Sequence, residues 1–313
     1  MATVVVIGGA GFLGGNLIPE LLEDGHKVRV IDVVPPDGAT RLAKVAKQID
    51  YRWASVLDFD AEMLELADVV LYLAAQADVP LGISSPMYTF QQNVMSTVHY
   101  MHVLSRLSVP PRTVYMSSES VYGVVPRVLQ PIKEDAPLNP TNAYAVSKMC
   151  AESVVRAYAA QYEIPVVVLR STTMYGPASR TKQVVPIFIR QALAGKDITV
   201  EGDGSQSRDF NYVGNMVSAI RRVLAQPAVT GTFNIGSNRE MSIKQLAEAV
   251  IGSVRRTVGP TDSKVVFGPW RPGEKGIQLF VSSRKAAEQL GYEPQISLEH
   301  GLDLTTTYWK DQR

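Results

Sequence analysis

The stretch Thr3-Val4-Val5-Val6-Ile7-Gly8-Gly9-Ala10-Gly11-Phe12-Leu13-Gly14 decides the fold. Thr3 to Ile7 are all β-branched, which suits a strand buried on both faces, as in a parallel sheet. Gly8, Gly11 and Gly14 then form Gly-x-x-Gly-x-x-Gly, Gly9, Gly11 and Gly14 form Gly-x-Gly-x-x-Gly, and Phe12 to Asp24 reads as the helix they open. Side chains at such a turn would keep a pyrophosphate away from the helix N-terminus, where unpaired N–H groups and the positive end of the helix dipole lie. Glycines alone would fit an ordinary strand-to-helix turn. Here, however, Asp32 ends the second predicted strand eighteen residues beyond Gly14. A carboxylate there accepts hydrogen bonds from adenosine ribose hydroxyls and repels a 2′-phosphate, and Val33 and Val34 bring no cation to offset that. The expected cofactor is therefore NAD rather than NADP, and Asp32 as a mere turn former is the weaker alternative.

Outward from this turn, further strand-like runs at Lys27 to Asp32, Asp68 to Leu73, Arg112 to Ser117 and Pro165 to Arg170 alternate with helical segments. Ser84 to Arg106 and Asn142 to Tyr162 read as helices, the latter from the spacing of Tyr144, Ala145, Met149 and Val155. The alternation predicts an α/β protein with a doubly wound parallel sheet covered by helices. After Tyr175-Gly176-Pro177 the rhythm loosens, with a helix near Val184 to Ala194, a strand at Ile198 to Val200 and a helix near Val213 to Leu224. A strand near Thr232 to Ile235 and helices near Ser242 to Arg255 and Leu298 to Tyr308 complete the chain. The expected division is residues 1–177 for the dinucleotide and 178–313 mainly for a smaller α/β substrate lobe, with some late segments returning to the first domain.

With 313 residues, 46% of them hydrophobic and 19% charged, the chain can bury a large core. A net charge of +1 provides no global attraction to nucleic acid or to an anionic membrane. Cys150 is the only cysteine, so no intramolecular disulfide can form. His99 and His102 share a helix without partners at metal spacing, so no metal is expected. The start has no basic leader, and no run approaches the length of a membrane span. A cytoplasmic protein is the expectation.

Tyr144 and Lys148 form Tyr-x-x-x-Lys one turn apart on a helix face. Free tyrosine has a pKa near ~10, and lowering it to about 7 takes roughly 4 kcal/mol of preferential phenolate stabilisation. A lysine ammonium and a positively charged nicotinamide ring supply that together. Ser118 ends the Arg112 to Ser117 run at the carboxyl edge of the sheet, where ligands bind in open α/β folds, and its hydroxyl can orient a substrate alcohol. Its plainer reading is a strand-end serine that satisfies its own backbone.

At these residues the chain resembles the extended short-chain dehydrogenase/reductase family, in its NAD-dependent nucleotide-sugar epimerase and dehydratase branch, with a Rossmann sheet. The resemblance spans nearly the whole chain. It includes Gly8 to Gly14, Leu73-Ala74-Ala75-Gln76, Asn93, Ser117 to Gly123, Tyr144 to Lys148, Met174 to Pro177, Gly202 to Gly204, Arg208-Asp209-Phe210, Asn234 to Gly236 and Arg271 to Glu274. It implies that Tyr144 removes a sugar hydroxyl proton while hydride leaves to NAD, with Lys148 supporting and Ser118 orienting. It places Gly8, Gly11, Phe12, Leu13, Asp32, Ser55, Val56, Leu73, Ala74, Ala75, Gln76 and Asn93 around NAD, together with Tyr144 and Lys148. Ser55 stands where an aspartate often faces adenine.

For the substrate, the resemblance places Arg208 and Arg271 on the diphosphate, which planar guanidinium groups bind in pairs. Phe210 takes a nucleotide-contact position, and Glu274 stands where an aspartate usually meets the ribose. Thr173 and Gln183 replace asparagines beside the sugar phosphate, and Glu201 replaces an aromatic at the base. Gly214-Asn215 replaces an acidic pair. The implied partners are a nucleotide-sugar substrate and a second copy of the chain, paired through the helices near Ser84 to Arg106 and Asn142 to Tyr162.

The leading reading is an NDP-sugar 4-epimerase acting through a transient 4-keto sugar. An NDP-hexose 4,6-dehydratase or an NDP-uronate decarboxylase begins with the same oxidation, and an idle NAD sensor would need only the cofactor pocket. In the dehydratases an acid–acid pair typically follows the orienting hydroxyl. Here Glu119 is followed by Ser120, a poor base at neutral pH, so elimination should lose to return of the hydride. Glu119 could instead bind a sugar hydroxyl, aid a decarboxylation, or be a solvated loop carboxylate.

Overall fold

The computed structural model describes residues 1–270 and 278–312. In chain order its first part contains β1 (Thr3–Ile7), α1 (Phe12–Glu23), β2 (Lys27–Asp32), β3 (Ile49–Trp53), β4 (Val69–Tyr72), α2 (Val79–Ser84), α3 (Pro86–Phe90), α4 (Ser96–Leu104), β5 (Arg112–Ser118), α5 (Ala143–Gln161) and β6 (Val166–Ser171). There follow β7 (Thr173–Tyr175), α6 (Val184–Leu193), β8 (Ile198–Glu201), β9 (Ser207–Tyr212), α7 (Val213–Leu224), β10 (Gly231–Ile235), β11 (Glu240–Ser242), α8 (Ile243–Thr257), β12 (Val265–Gly268), α9 (Arg284–Leu290) and α10 (Leu298–Asp311).

Residues 1–123, 135–171 and 220–233 form one compact unit, and 124–134, 172–219 and 234–313 form a second. The division expected after Pro177, with late segments returning to the first domain, becomes boundaries after Gly123, Glu134, Ser171, Ala219 and Phe233, and 220–233 is a returning segment. The return of 220–233 has visible causes within the first unit. Arg221 pairs with Asp24 and Glu20, and the buried Arg112 donates to the carbonyls of Val223 and Val229.

The first unit is built on a seven-stranded sheet in the order β10-β6-β5-β4-β1-β2-β3, and the pairs from β6 through β3 are parallel. This is the doubly wound order, with its switch point between β1 and β4, where the loops after the two strand ends diverge and leave a crevice. Val4 to Ile7 have no exposed surface, as the β-branched run implied, and each such side chain contributes about 1.5–3 kcal/mol of burial. Beneath α4 and α5 the core is aromatic: Tyr72 lies 4.8 Å from Tyr100 and 5.3 Å from Tyr115, centroid to centroid. Their hydroxyls stay satisfied by Ser96, Thr113 and Thr97, which makes burying three phenols tolerable.

Two features differ from the sequence reading. The helix expected from Ser84 to Arg106 is present from Pro86 to Leu104; it starts two residues later because Pro86 lacks an N–H and holds Ser85 out of the helical region at φ −138, ψ 64. Between α3 and α4 the chain makes a π-turn at Gln91–Met95, which carries Asn93. Strand β3 went unpredicted because it is an edge strand, Ile-Asp-Tyr-Arg-Trp, that lacks a continuous apolar face.

In the second unit β9 pairs antiparallel with β11 and parallel with β7, and β12 runs parallel to β8. Helix α8 packs against α6 and α10. It begins with a capping box in which Ser242 and Gln245 satisfy each other's backbone amides, and Ser297 caps α10. Among the described residues no helix is long and apolar enough to cross a membrane.

Candidate active site

The turn after β1 is in backbone contact with the loop after β4. Gly8 adopts φ 82, and a Cβ there would stand 2.6 Å from the amide nitrogen of Ala74. Leu73 donates its amide to the Ile7 carbonyl at 2.9 Å, which sets Leu73 to Gln76 beside the turn. Helix α1 starts at Gly11 with no side-chain cap and no acidic residue in its first turn, so its amides and dipole remain open to an anion. Asp32, 9% exposed, accepts from the Ala10 amide at 2.9 Å and the Val34 amide at 3.0 Å, and this anchors its carboxylate to the glycine turn. Such a glycine cradle at a bare helix N-terminus, with a fixed carboxylate at the end of the next strand, fits a dinucleotide. Phe12 and Leu13 open the helix; Ser55 accepts from the Leu57 amide at 3.1 Å and caps a short turn, beside the buried Val56.

Helix α5 begins at Asn142, whose side chain caps the Ala145 amide at 2.9 Å, so Tyr144 and Lys148 fall in its first two turns. Lys148 is 3% exposed; its Nζ donates to the Met116 carbonyl at 2.6 Å and lies 4.9 Å from the Tyr115 ring centroid. Burial pulls the ammonium down to about 8, and the Glu152 carboxylate opposes that pull. Tyr144 is partly exposed, and Gly82 of α2 packs so closely that a Cβ there would come within 3.3 Å of the Tyr144 Cβ.

One hydrogen-bonded chain links the cofactor loop to this helix. Asn93 Oδ1 accepts from the Gln76 amide at 2.7 Å, and its Nδ2 donates to the Gln76 carbonyl at 2.9 Å and to Ser147 Oγ at 2.8 Å. Ser147 in turn donates to the Tyr144 carbonyl at 2.7 Å. The π-turn thus brings Asn93 between Gln76 and α5, and the buried triad fixes both.

Ser118 Oγ receives the Ser120 amide at 3.2 Å and the Ser120 hydroxyl at 2.9 Å. The plain strand-end role is therefore real, yet with two bonds accepted the Ser118 hydrogen is left to donate elsewhere. Glu119, first in the turn after β5, is 4% exposed, which overturns its reading as a solvated loop carboxylate. His99 bonds to the Phe59 carbonyl and His102 is exposed, and the described residues contain no group suited to hold a metal.

In the second unit Thr173 and Phe210 are cross-strand neighbours on β7 and β9, with Phe210 only 2% exposed, so its ring belongs to packed interior. Arg208, two positions before Phe210, is partly exposed and gives Nη1 to its neighbour's carbonyl at 3.0 Å. Gln183 stands at the N-cap of α6, and its Oε1 is buried without a hydrogen-bond partner. Glu201 ends β8, with its carbonyl held by Gln206 at 2.9 Å. Arg271 and Glu274 lie outside the described residues.

A family model described as the NAD dependent epimerase/dehydratase family matches residues 4–236. The chain belongs to this family. As an NAD-dependent epimerase/dehydratase it is 31% identical over 318 residues to the UDP-glucose 4-epimerase of Mycolicibacterium smegmatis, covering 98% of each chain. It is 29% identical over 329 residues to the dTDP-glucose 4,6-dehydratase of Xanthomonas campestris, covering 99% of this chain and 93% of that one. The crystal structure of UDP-glucuronic acid 4-epimerase from Bacillus cereus, in complex with UDP-glucuronic acid and NAD, superposes with a TM-score of 0.88 at 27% identity, over 99% of this chain and all of that one (100%). Sequence reading of this NAD-dependent chain missed Arg41, whose Cβ would be 2.8 Å from a Cβ on Gly15 of α1; its place beside α1 follows from a long loop that no periodicity announces. It also missed Ser147 and Glu152, polar residues inside a helical pattern that gave no sign of their burial.

Proposed function

We propose that the chain is an NDP-sugar 4-epimerase, a cytoplasmic homodimer that oxidises C4 of a nucleotide-activated sugar and reduces it again from the other face. NAD, when bound, supplies the hydride acceptor and then the donor. Tyr144, as phenolate, takes the proton of the C4 hydroxyl and later returns it. Lys148 stabilises that phenolate; one of its three N–H groups is tied to Met116 and two remain for other partners. Ser118 donates to the sugar oxygen, and Arg208, with Arg271, holds the diphosphate. The exposed apolar side chains of Met87, Tyr88 and Met95 support the pairing of two copies.

The observation that carries epimerisation over elimination is the hydroxyl of Ser120 bonded to Ser118. In the second acid's position stands a group that braces the orienting serine and cannot take a proton from C5 at neutral pH. The 4-keto sugar then survives until it is reduced. A dehydratase or decarboxylase is the second reading, favoured by the burial of the Glu119 carboxyl next to Ser118.

Incubation with UDP-glucose, UDP-glucuronate and GDP-mannose in heavy water, followed by NMR, tests the choice. A C4 epimer without deuterium at C5 is expected, and Tyr144→Phe should fold, bind NAD and lose at least about a hundredfold in oxidation rate. A 4-keto-6-deoxy sugar with deuterium at C5 would move the chemistry to Glu119.

A further inference from the structure

Behind Lys148 lies a buried ionic cluster that none of these steps uses. Glu152, one turn further along α5, has no exposed surface. Ser117 Oγ donates to its Oε2 at 2.7 Å, and Arg170 of β6 gives Nε to Oε2 at 3.1 Å and Nη2 to Oε1 at 2.5 Å. Arg170, itself 1% exposed, spends Nη1 on the Tyr122 hydroxyl at 2.7 Å. Three successive residues of β5 therefore meet three different needs: the Met116 carbonyl holds Lys148, the Ser117 hydroxyl holds Glu152, and Ser118 ends the strand at its carboxyl edge.

A buried ion pair is seldom worth more to stability than a well-packed apolar pair of the same volume. What an apolar pair cannot provide is a fixed negative charge one turn from a buried ammonium. The phenols of Tyr100 and Tyr115 are pushed up by burial and stay neutral, so they offer no such charge. Arg156 on α5 reaches Glu152 at 3.5 Å from a mostly exposed position, and Glu119 stands in the turn after β5. Arg170 and Ser117 both favour the ionised form of Glu152.

We propose that Glu152, clamped by Arg170 and Ser117, is a positioning residue that keeps Lys148 charged and against the Met116 carbonyl, so that a cation is in place whenever Tyr144 gives up its proton. This rests on the roles of Tyr144 and Lys148 given above. Arg170 lets the carboxylate exist in the interior, and the carboxylate lets the ammonium exist there. Without Glu152, Lys148 would lose the negative charge that opposes its desolvation and would release its proton more readily.

The test is a direct titration of Lys148 by NMR in protein carrying isotope-labelled lysine Cε, with the resonance assigned by its loss in Lys148→Met. In Glu152→Gln the midpoint should fall by about one pH unit, and Glu152→Asp should restore most of it, with NAD still bound by both. An unchanged midpoint in Glu152→Gln overturns the proposal. Should that variant not fold, Glu152→Gln combined with Arg170→Met removes the pair without stranding a cation. Its midpoint should also lie below that of the unaltered protein, and equality would again overturn the idea. In turnover, the alkaline limb of kcat should move down with the midpoint while KM for the sugar nucleotide holds. If the unaltered protein oxidises no sugar nucleotide, the proposed function fails, yet the lysine midpoint still decides the role of Glu152.

Discussion

Ser120 gives both its amide and its hydroxyl hydrogen to a single atom, Oγ of Ser118, at 3.2 and 2.9 Å. The bonds fix the rotamer of Ser118 and leave its own hydrogen as the one free to point at a ligand. Ser120→Ala should keep fold and NAD affinity but lower kcat about tenfold, the cost of roughly 1.4 kcal/mol of lost orientation, while Ser118→Ala loses more. Steady-state kinetics on both variants decide it. Equal losses would mean that Ser120 acts directly rather than through Ser118.

NAD should bind much more tightly than NADP, because the Asp32 carboxylate is held in place by the amides of Ala10 and Val34 and cannot swing away from a 2′-phosphate. Arg41 is a cation that the fold brings beside the first turn of α1. Calorimetric titration with both dinucleotides should give at least a tenfold preference, about 1.4 kcal/mol. Asp32→Ala should narrow it mainly by gaining NADP. Equal affinities in the unaltered protein would retire Asp32 as the selector.

Arg208→Ala should raise the dissociation constant of the sugar nucleotide about tenfold or more and leave NAD binding as it was, since a charge-assisted phosphate contact contributes about 1.5–3 kcal/mol. Arg271→Ala should behave alike. Were either variant to unfold or to lose NAD, a structural role for that arginine would replace the phosphate role.

Asp209 has no exposed surface; Ser237 bonds its Oδ1 through amide and hydroxyl at 2.8 and 2.7 Å, while burial pushes the carboxyl up from 3.8 to about 6. A folded-state value above the unfolded one means that this group favours the fold at acid pH and loses that contribution as pH rises through about 6. The full effect is on the order of 3 kcal/mol. Asp209→Asn should therefore gain in melting temperature relative to the unaltered protein near neutral pH, and the gain should shrink toward pH about 4. A difference independent of pH would show that the carboxyl is not held up by burial.

The first unit was legible because its strands carry one signal repeated. Val4 to Ile7 and Val166 to Leu169 are buried on both faces and so read as apolar runs with no partner needed. Tyr144, Lys148 and Ser118 were placed on one helix and one strand end by short-range spacing, while their proposed roles came from the family resemblance. The strand β9 was illegible for the opposite reason. Ser-Arg-Asp-Phe-Asn-Tyr looks like a loop, and only long-range partners such as Ser237 for Asp209 and Tyr292 for Asn211 make those polar side chains tolerable inside. The same blindness hid Glu152, which reads as an exposed helix residue until Arg170, eighteen positions away, is seen to cover it.

The order of strands also sets a timetable. β6 lies between β5 and β10, but β10 is read some sixty residues later, after the chain has left for the second unit and come back through 220–233. During vectorial synthesis the nascent sheet therefore carries the backbone groups of Val166–Ser171 along an open border until Gly231–Ile235 emerges from the ribosome. Such a border, apolar and free of charge for its first four residues, is a template for pairing with another nascent chain. A ribosome-bound fragment ending near Ala219 should be captured by holdase chaperones, whereas one extended far enough for Ile235 to clear the exit tunnel should be released from them.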